Sequence, residues 1–182
     1  MFADNSSLFK AGRNVNQLQR AIQKDINALQ ERCDTWGFKI SAEKTVAVLF
    51  TRSTKRPDIH LTIQSTTVKV EDSAKFLGVV FDRHLTWNKH INHIVTKCNK
   101  RLNLMRAVSG TKWGATHKSL ITIYRTLIRP VLDYGAATYD SASPSQLQKV
   151  DSIQYNALRL CCGAMKGTAA SALQVECGET PL

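Results

Sequence analysis

Asp4 and Asn5 set a carboxylate beside an amide, just after Phe2-Ala3 and ahead of Leu8-Phe9. Two such oxygens at a hairpin tip can ligate a hard divalent cation such as Mg2+, which takes oxygen donors and favours charged ones. The same pair tolerates the positive φ values of a tight turn, and on residue type alone the turn is the stronger reading. Lys44, after Glu43, is a second candidate. An ammonium beside phosphates stabilises charge and can donate a proton, whereas a lone lysine is ordinarily a solvated surface group. Cys98, His90 and His93 can be drawn as a metal set, but they fall on different sides of one helix.

Basic residues offer the third kind of chemistry. The 182-residue chain carries a formal net charge of +11, which points to a polyanionic partner without naming one. Between Asp82 and Asp133 there is no acidic residue, while Arg83, Lys89, Lys97, Lys100, Arg101, Arg106, Lys112, Lys118, Arg125 and Arg129 are all basic. Solvated helical faces usually mix both signs, so a single-sign stretch of this length suits phosphate contact. The five cysteines are spread apart except for Cys161-Cys162, and none forms a Cys-x-x-Cys pair; reduced and mostly buried thiols follow. The longest unbroken apolar run, Val46 to Phe50, falls far short of the ~20 residues that span a bilayer. With no basic region and apolar stretch at the N-terminus, the expectation is an intracellular chain of the nucleus or cytoplasm, with neither signal peptide nor membrane span.

The elements that would position these residues are legible from periodicity, and a hydrophobic content of 43% can supply a core. Met1 to Ala3 and Ser7 to Phe9 read as short strands around Asp4-Asn5. Asn14 caps a helix with apolar residues at Val15, Leu18, Ile22, Ile26, Leu29, Cys33 and Trp36, stopped by Gly37. One apolar stripe implies packing on a sheet. Strand candidates follow at Thr45 to Phe50, Ile59 to Ile63, Val68 to Val70 and Phe76 to Phe81, with an exposed loop from Arg52 to Pro57. From Trp87 the period becomes helical. Ile91, Ile94, Val95, Cys98, Leu102 and Met105 form one face; Lys89, His93, Lys97 and Lys100 form the other. After the Gly110 to Gly114 link, a second helix runs to about Pro130, with Lys118, Arg125 and Arg129 on one face. Ser143-Pro144-Ser145-Gln146 reads as a capping box opening a third, and Thr168 to Glu176 as a last short helix.

Several stretches together resemble the reverse transcriptases of non-long-terminal-repeat retrotransposons. They are Phe2-Ala3-Asp4-Asn5, Gly37 to Thr45, Lys75-Phe76-Leu77-Gly78-Val79, Leu85-Thr86-Trp87, Tyr124 to Gly135 and Ile153 to Arg159, in that order across nearly the whole chain. The resemblance implies an α+β fold. Residues 1–83 would be the C-terminal part of a polymerase palm, made of a β-hairpin, a helix and short antiparallel strands. Residues 84–182 would be an all-helical thumb and connector-like lobe. It implies that Asp4 matches the first aspartate of an aromatic-Ala-Asp-Asp hairpin and Asn5 replaces the second, where the family holds two Mg2+ ions about 4 Å apart. Lys44 falls where the family has a lysine beside the incoming nucleotide, donating a proton to pyrophosphate. Phe76, Leu77 and Gly78 match the turn that grips the primer, although a core strand with a glycine bulge is equally compatible. Lys89, Lys97, Lys100, Arg101, Lys118, Arg125 and Arg129 would contact the phosphates of an RNA-DNA hybrid or other nucleic acid.

The family's palm carries another aspartate upstream of the hairpin. The expectation is therefore a truncated polymerase domain that keeps its template-primer surface, binds Mg2+ weakly if at all, and does not polymerise DNA unaided. A separate upstream polymerase fragment is a conceivable partner. A helical protein-interaction module derived from such an element, or a decayed fragment with an unpaired sheet edge, are the alternatives.

Overall fold

The computed structural model describes residues 6–55, 57–110 and 113–182. Asp4, Asn5 and the expected strand from Met1 to Ala3 lie outside the described residues. The fold is α+β and divides into two compact units, Met1–Leu85 and Thr86–Leu182.

In the first unit, helix α1 spans Val15–Thr35. Its start is fixed by the Asn14 side chain, which accepts from the amides of Asn16 and Gln17 at 2.9 and 3.3 Å and so satisfies two of the orphan donors of a helix N-terminus. Its end is fixed by Trp36 and by Gly37 at φ +73°, a conformation glycine adopts without steric cost. Strands β1 (Val46–Ala47) and β4 (Lys69–Val70) pair in parallel, β2 (Thr62–Ile63) and β3 (Thr66–Thr67) antiparallel, and β5 (Ser73–Phe76) and β6 (Val79–Asp82) antiparallel. Three separate two-stranded sheets result among the described residues.

Three sequence expectations are corrected here. Ser7 to Phe9 adopt no strand, and β1–β4 is parallel, so the strands are not uniformly antiparallel. Phe76 to Phe81 is not one strand either: it turns back at Leu77-Gly78. With no continuous sheet among the described residues, the apolar stripe of α1 is only partly covered by them. Ile26 is buried with Leu61, Ile63 and Val68, backed by Ile22, Ile40 and Ile59, while Trp36 stays largely exposed.

Glutamines complete the docking of α1. The Gln23 amide both donates to the Thr62 carbonyl (2.9 Å) and accepts from the Thr62 amide (3.0 Å), and Gln19 donates to the His60 carbonyl at 2.9 Å. The Gln23 side chain thus takes the place of a neighbouring strand along the edge of β2 and satisfies backbone groups that would otherwise face solvent unpaired.

The second unit is helical. Helix α2 spans Asn88–Val108. Helix α3 (His117–Ile123), a π turn (Tyr124–Ile128) and α4 (Arg129–Asp133) run continuously, followed by α5 (Ala136–Tyr139), α6 (Pro144–Cys162) and α7 (Ala170–Cys177). The core gathers Ile91, Ile94, Cys98, Leu102 and Met105 from α2, Leu120, Tyr124, Ile128 and Leu132 from the α3–α4 run, and Val150, Ile153, Ala157, Leu158 and Cys161 from α6. The π turn ends with only Arg129 between it and Pro130, which has no amide hydrogen and cannot continue the regular bonding ladder. Arg101 donates to the Leu127 carbonyl within that turn.

The expected capping box at the start of α6 does not form. Ser143 Oγ lies 3.1 Å from Ser145 Oγ rather than on a helix amide, and Gln146 Oε1 accepts from Lys149 at 2.8 Å. A serine two residues on, and a lysine one turn down, compete for the groups the box requires.

Candidate nucleic-acid interface

The α2 surface is built by its buried face. Ile91, Ile94, Cys98, Leu102 and Met105 fix the helix rotation by burying, which leaves Lys89, His93, Lys97 and Lys100 on the solvent side, with Leu104 exposed at the same side one turn further on. Steps of three and four hold these side chains in one stripe along the helix. Lys97 and Lys100 have no ion-pair partner among the described residues. No acidic residue stands in the first turn of α2, α3 or α6, so nothing in those turns offsets the positive end of the helix dipole. Lys118 is exposed in the first turn of α3.

Arg125 and Arg129 are differently placed. Arg125 Nε donates to Glu179 Oε1 at 2.6 Å and its Nη2 reaches the Cys177 and Gly178 carbonyls at 3.4 and 3.3 Å. Arg129 Nε forks onto Asp133 at 2.8 and 2.9 Å, and its Nη1 donates to the Thr180 carbonyl at 3.0 Å and lies 3.6 Å from Glu179 Oε2. Glu179 is nearly buried at 8% exposure. Buried Gln154 completes the arrangement, donating to the Tyr124 hydroxyl (3.2 Å) and to the Thr180 carbonyl (2.8 Å). These two arginines and Arg101, each engaged by protein acceptors, hold the chain's C-terminal residues and the π turn. The structure therefore separates three arginines with internal partners from Lys97 and Lys100, which are exposed on α2 with no ion-pair partner among the described residues. Sequence reasoning missed Glu179, Gln154 and Thr180 because their partners lie 26 to 54 residues away and no local period links them.

In the first unit, Lys44 is exposed in a turn of Ala42 to Lys44. The turn is closed by the Thr45 amide and hydroxyl, which donate to the Ser41 carbonyl at 3.1 and 2.7 Å. Phe76 and Val79 pair at the end of the β5–β6 ladder, and the two residues between them, Leu77 and Gly78, both have positive φ (45° and 85°). This is the backbone signature of a type I′ hairpin, which ordinarily selects Asn-Gly. Leu77 is instead a large apolar side chain, 60% exposed at the tip, in a region that costs a residue with a Cβ about 1 kcal/mol or more.

Burial sets the titration of several groups in the helical unit. It pushes the Tyr139 hydroxyl up to about 12, the Cys161 thiol up to about 12 and the Cys98 thiol up to about 11. Burial, then the neighbouring His93, lowers His90, whose ring packs on Tyr139 at 5.4 Å. No group of three or more histidine, cysteine, aspartate or glutamate side chains among the described residues is arranged to hold a metal ion, and among those residues no helix is long and apolar enough to cross a membrane.

Several curated homologues of the chain are RNA-directed DNA polymerases of non-LTR retrotransposons. It is 26% identical over 164 residues to the RNA-directed DNA polymerase from mobile element jockey of Drosophila melanogaster, a match covering 90% of this chain and 18% of that protein. It is 24% identical over 159 residues to the probable RNA-directed DNA polymerase from transposon BS of the same fly, covering 87% and 18%. Against the retrovirus-related Pol polyprotein from type-1 retrotransposable element R1 4 of Nasonia vitripennis, it is 24% identical over 156 residues, covering 76% and 40%. The chain thus spans about a fifth of the length of the first of these curated relatives. No family model and no solved structure matches it.

Proposed function

We propose that this chain is the part of a reverse transcriptase that holds a template-primer duplex, with Thr86–Leu182 as its thumb and connector and Met1–Leu85 as the end of its palm. The observation that carries the reading is the α2 stripe: Lys89, His93, Lys97 and Lys100 exposed on one helix face, within a stretch that has no carboxylate from residue 83 to 132. Phosphates of an A-form hybrid lie at regular spacing along a groove, and a straight row of cations on a rigid helix neutralises them without reading sequence. Lys118 extends the surface. Arg101, Arg125 and Arg129, expected from the sequence to join it, have protein partners and are assigned here to holding the fold.

The Leu77-Gly78 tip supports a role in backing the primer end, since it holds a large apolar side chain, 60% exposed and at positive φ, at the end of the β5–β6 ladder. The resemblance supports a place for Lys44 beside the incoming nucleotide, and its exposed turn leaves the ammonium accessible. The homologues are polymerases, a class that works with Mg2+. Asp4 and Asn5, the donors assigned to it, supply one charged oxygen centre and one neutral amide. That donor set does not fit a two-ion site, where paired charges need anionic ligands, and no catalytic step is derived through it.

A second reading has its own observation. Phe9, Trp36, Phe38 and Phe50 are large apolar side chains left exposed on the first unit, and a protein surface would cover them. A fluorescence titration with a labelled RNA-DNA hybrid at low salt separates the two. Micromolar or tighter binding supports the template-primer reading, and no binding by a chain with helical circular dichroism removes it.

A further inference from the structure

We propose that Cys162 and Cys177 form a thiol pair that reacts with small-molecule disulfides of the oxidised glutathione class to tie α7 covalently to the end of α6. The two Sγ atoms lie 3.2 Å apart, a short displacement from the bonding separation of about 2.05 Å. The approach is fixed by backbone. Each cysteine is the last residue of its helix, and each helix ends in the same way. Gly163 and Gly178 both take φ +61°, and the next amides turn back, Ala164 to the Arg159 carbonyl at 3.0 Å and Glu179 to the Gln174 carbonyl at 2.8 Å. The helix ends therefore present their thiols to one another from rigid supports.

Access is asymmetric. Cys162 is half-buried and within reach of a small oxidant, whereas Cys177 is buried. In the first step the Cys162 sulfur, as thiolate, attacks one sulfur of oxidised glutathione, forms a mixed disulfide and releases one glutathione thiolate. In the second step the Cys177 sulfur attacks the Cys162 sulfur, forms the Cys162–Cys177 bond and releases the second glutathione thiolate. The two thiol protons go to the two departing thiolates, and the two electrons lost by the cysteines reduce the oxidant. Both sulfurs sit at helix C-termini, where the dipole disfavours thiolate, so the exchange is slow, on the scale of minutes to hours. Cys33 lies in the first unit and Cys98 is fully buried within α2. Neither is part of the pair.

The test uses the full chain, incubated for hours with oxidised glutathione, alkylated and digested without reduction. The expected product is a linked peptide pair joining residues 160–166 to 167–182, with fragmentation between Cys161 and Cys162 placing the bond on Cys162. C161S should retain the link and C162S should abolish it, with circular dichroism confirming that each variant is folded. A link mapped to Cys161, its persistence in C162S, or no link in the wild-type chain would overturn the assignment. The fragmentation readout needs no variant, so a misfolded substitution leaves the test intact.

Discussion

At the scale of single residues, Leu77 sets local backbone preference against side-chain choice. Its φ of +45° sits beside Gly78 at +85° in a two-residue hairpin. Gln64 and Ser65, at +47° and +67°, form the matching turn between β2 and β3 with polar residues. A polar residue would relieve the Leu77 turn, because asparagine enters the left-handed region at lower cost. L77N should therefore raise the stability of the chain by about 1 kcal/mol, read as a shift in the urea midpoint. If the leucine is there to back a primer end, the same variant should also weaken hybrid binding. A variant that gains no stability would show that the tip is not strained, and with that the physical reason for assigning it a function would be gone.

At the scale of elements, the arginines of the α3–α4 run and the C-terminal residues form one interaction system. Removing both guanidiniums in R125A/R129A leaves Glu179, only 8% exposed, as a nearly buried charge without its partners. The expected loss is ~3 kcal/mol in denaturant unfolding, with no change in the salt dependence of hybrid binding. A loss of salt dependence without destabilisation would mean instead that these arginines reach phosphate. The same system marks the boundary of what sequence reveals. The ends of α1 were legible because Asn14 and Gly37 act on their own neighbours, and the buried face of α2 was legible because a helix repeats every 3.6 residues. Charge sign was legible too, but its destination was not. Lys97 and Arg125 look alike in a sequence, and only the return of Glu179 across 54 residues distinguishes them. The Ser143 capping box failed for a related reason, since Ser145 and Lys149 offered its groups nearer partners. Sheet pairing was the least legible: two-residue strands carry too little alternation to fix a register, so the parallel β1–β4 pair went unforeseen.

At the scale of the whole molecule, burial of titratable groups predicts the pH range of the helical unit. Cys98, Cys161 and Tyr139 have folded values raised above their ordinary 9.0, 9.0 and 10.0. Above pH 9 the unfolded chain releases protons that the folded chain retains, so stability is full below that point and falls as pH rises from about 9 to about 12. His90 acts in the opposite sense. Its folded value is lowered from 6.5, so its contribution is present above 6.5 and is lost as pH falls below it. Denaturant midpoints under reducing conditions should thus show a plateau between pH 6.5 and 9 with a decline on each side, and a midpoint still rising at pH 10 would contradict the burial of these groups. That the solvent-facing lysines of α2 hold nucleic acid is the proposal on which the function rests. Its most direct test is the slope of log affinity against log salt for an RNA-DNA hybrid, compared between the wild-type chain and K97A/K100A. Each phosphate contact contributes about 0.9 to that slope, so the variant should flatten it by about two while leaving the fold intact. An unchanged slope in a folded variant would show that the α2 stripe does not meet phosphate.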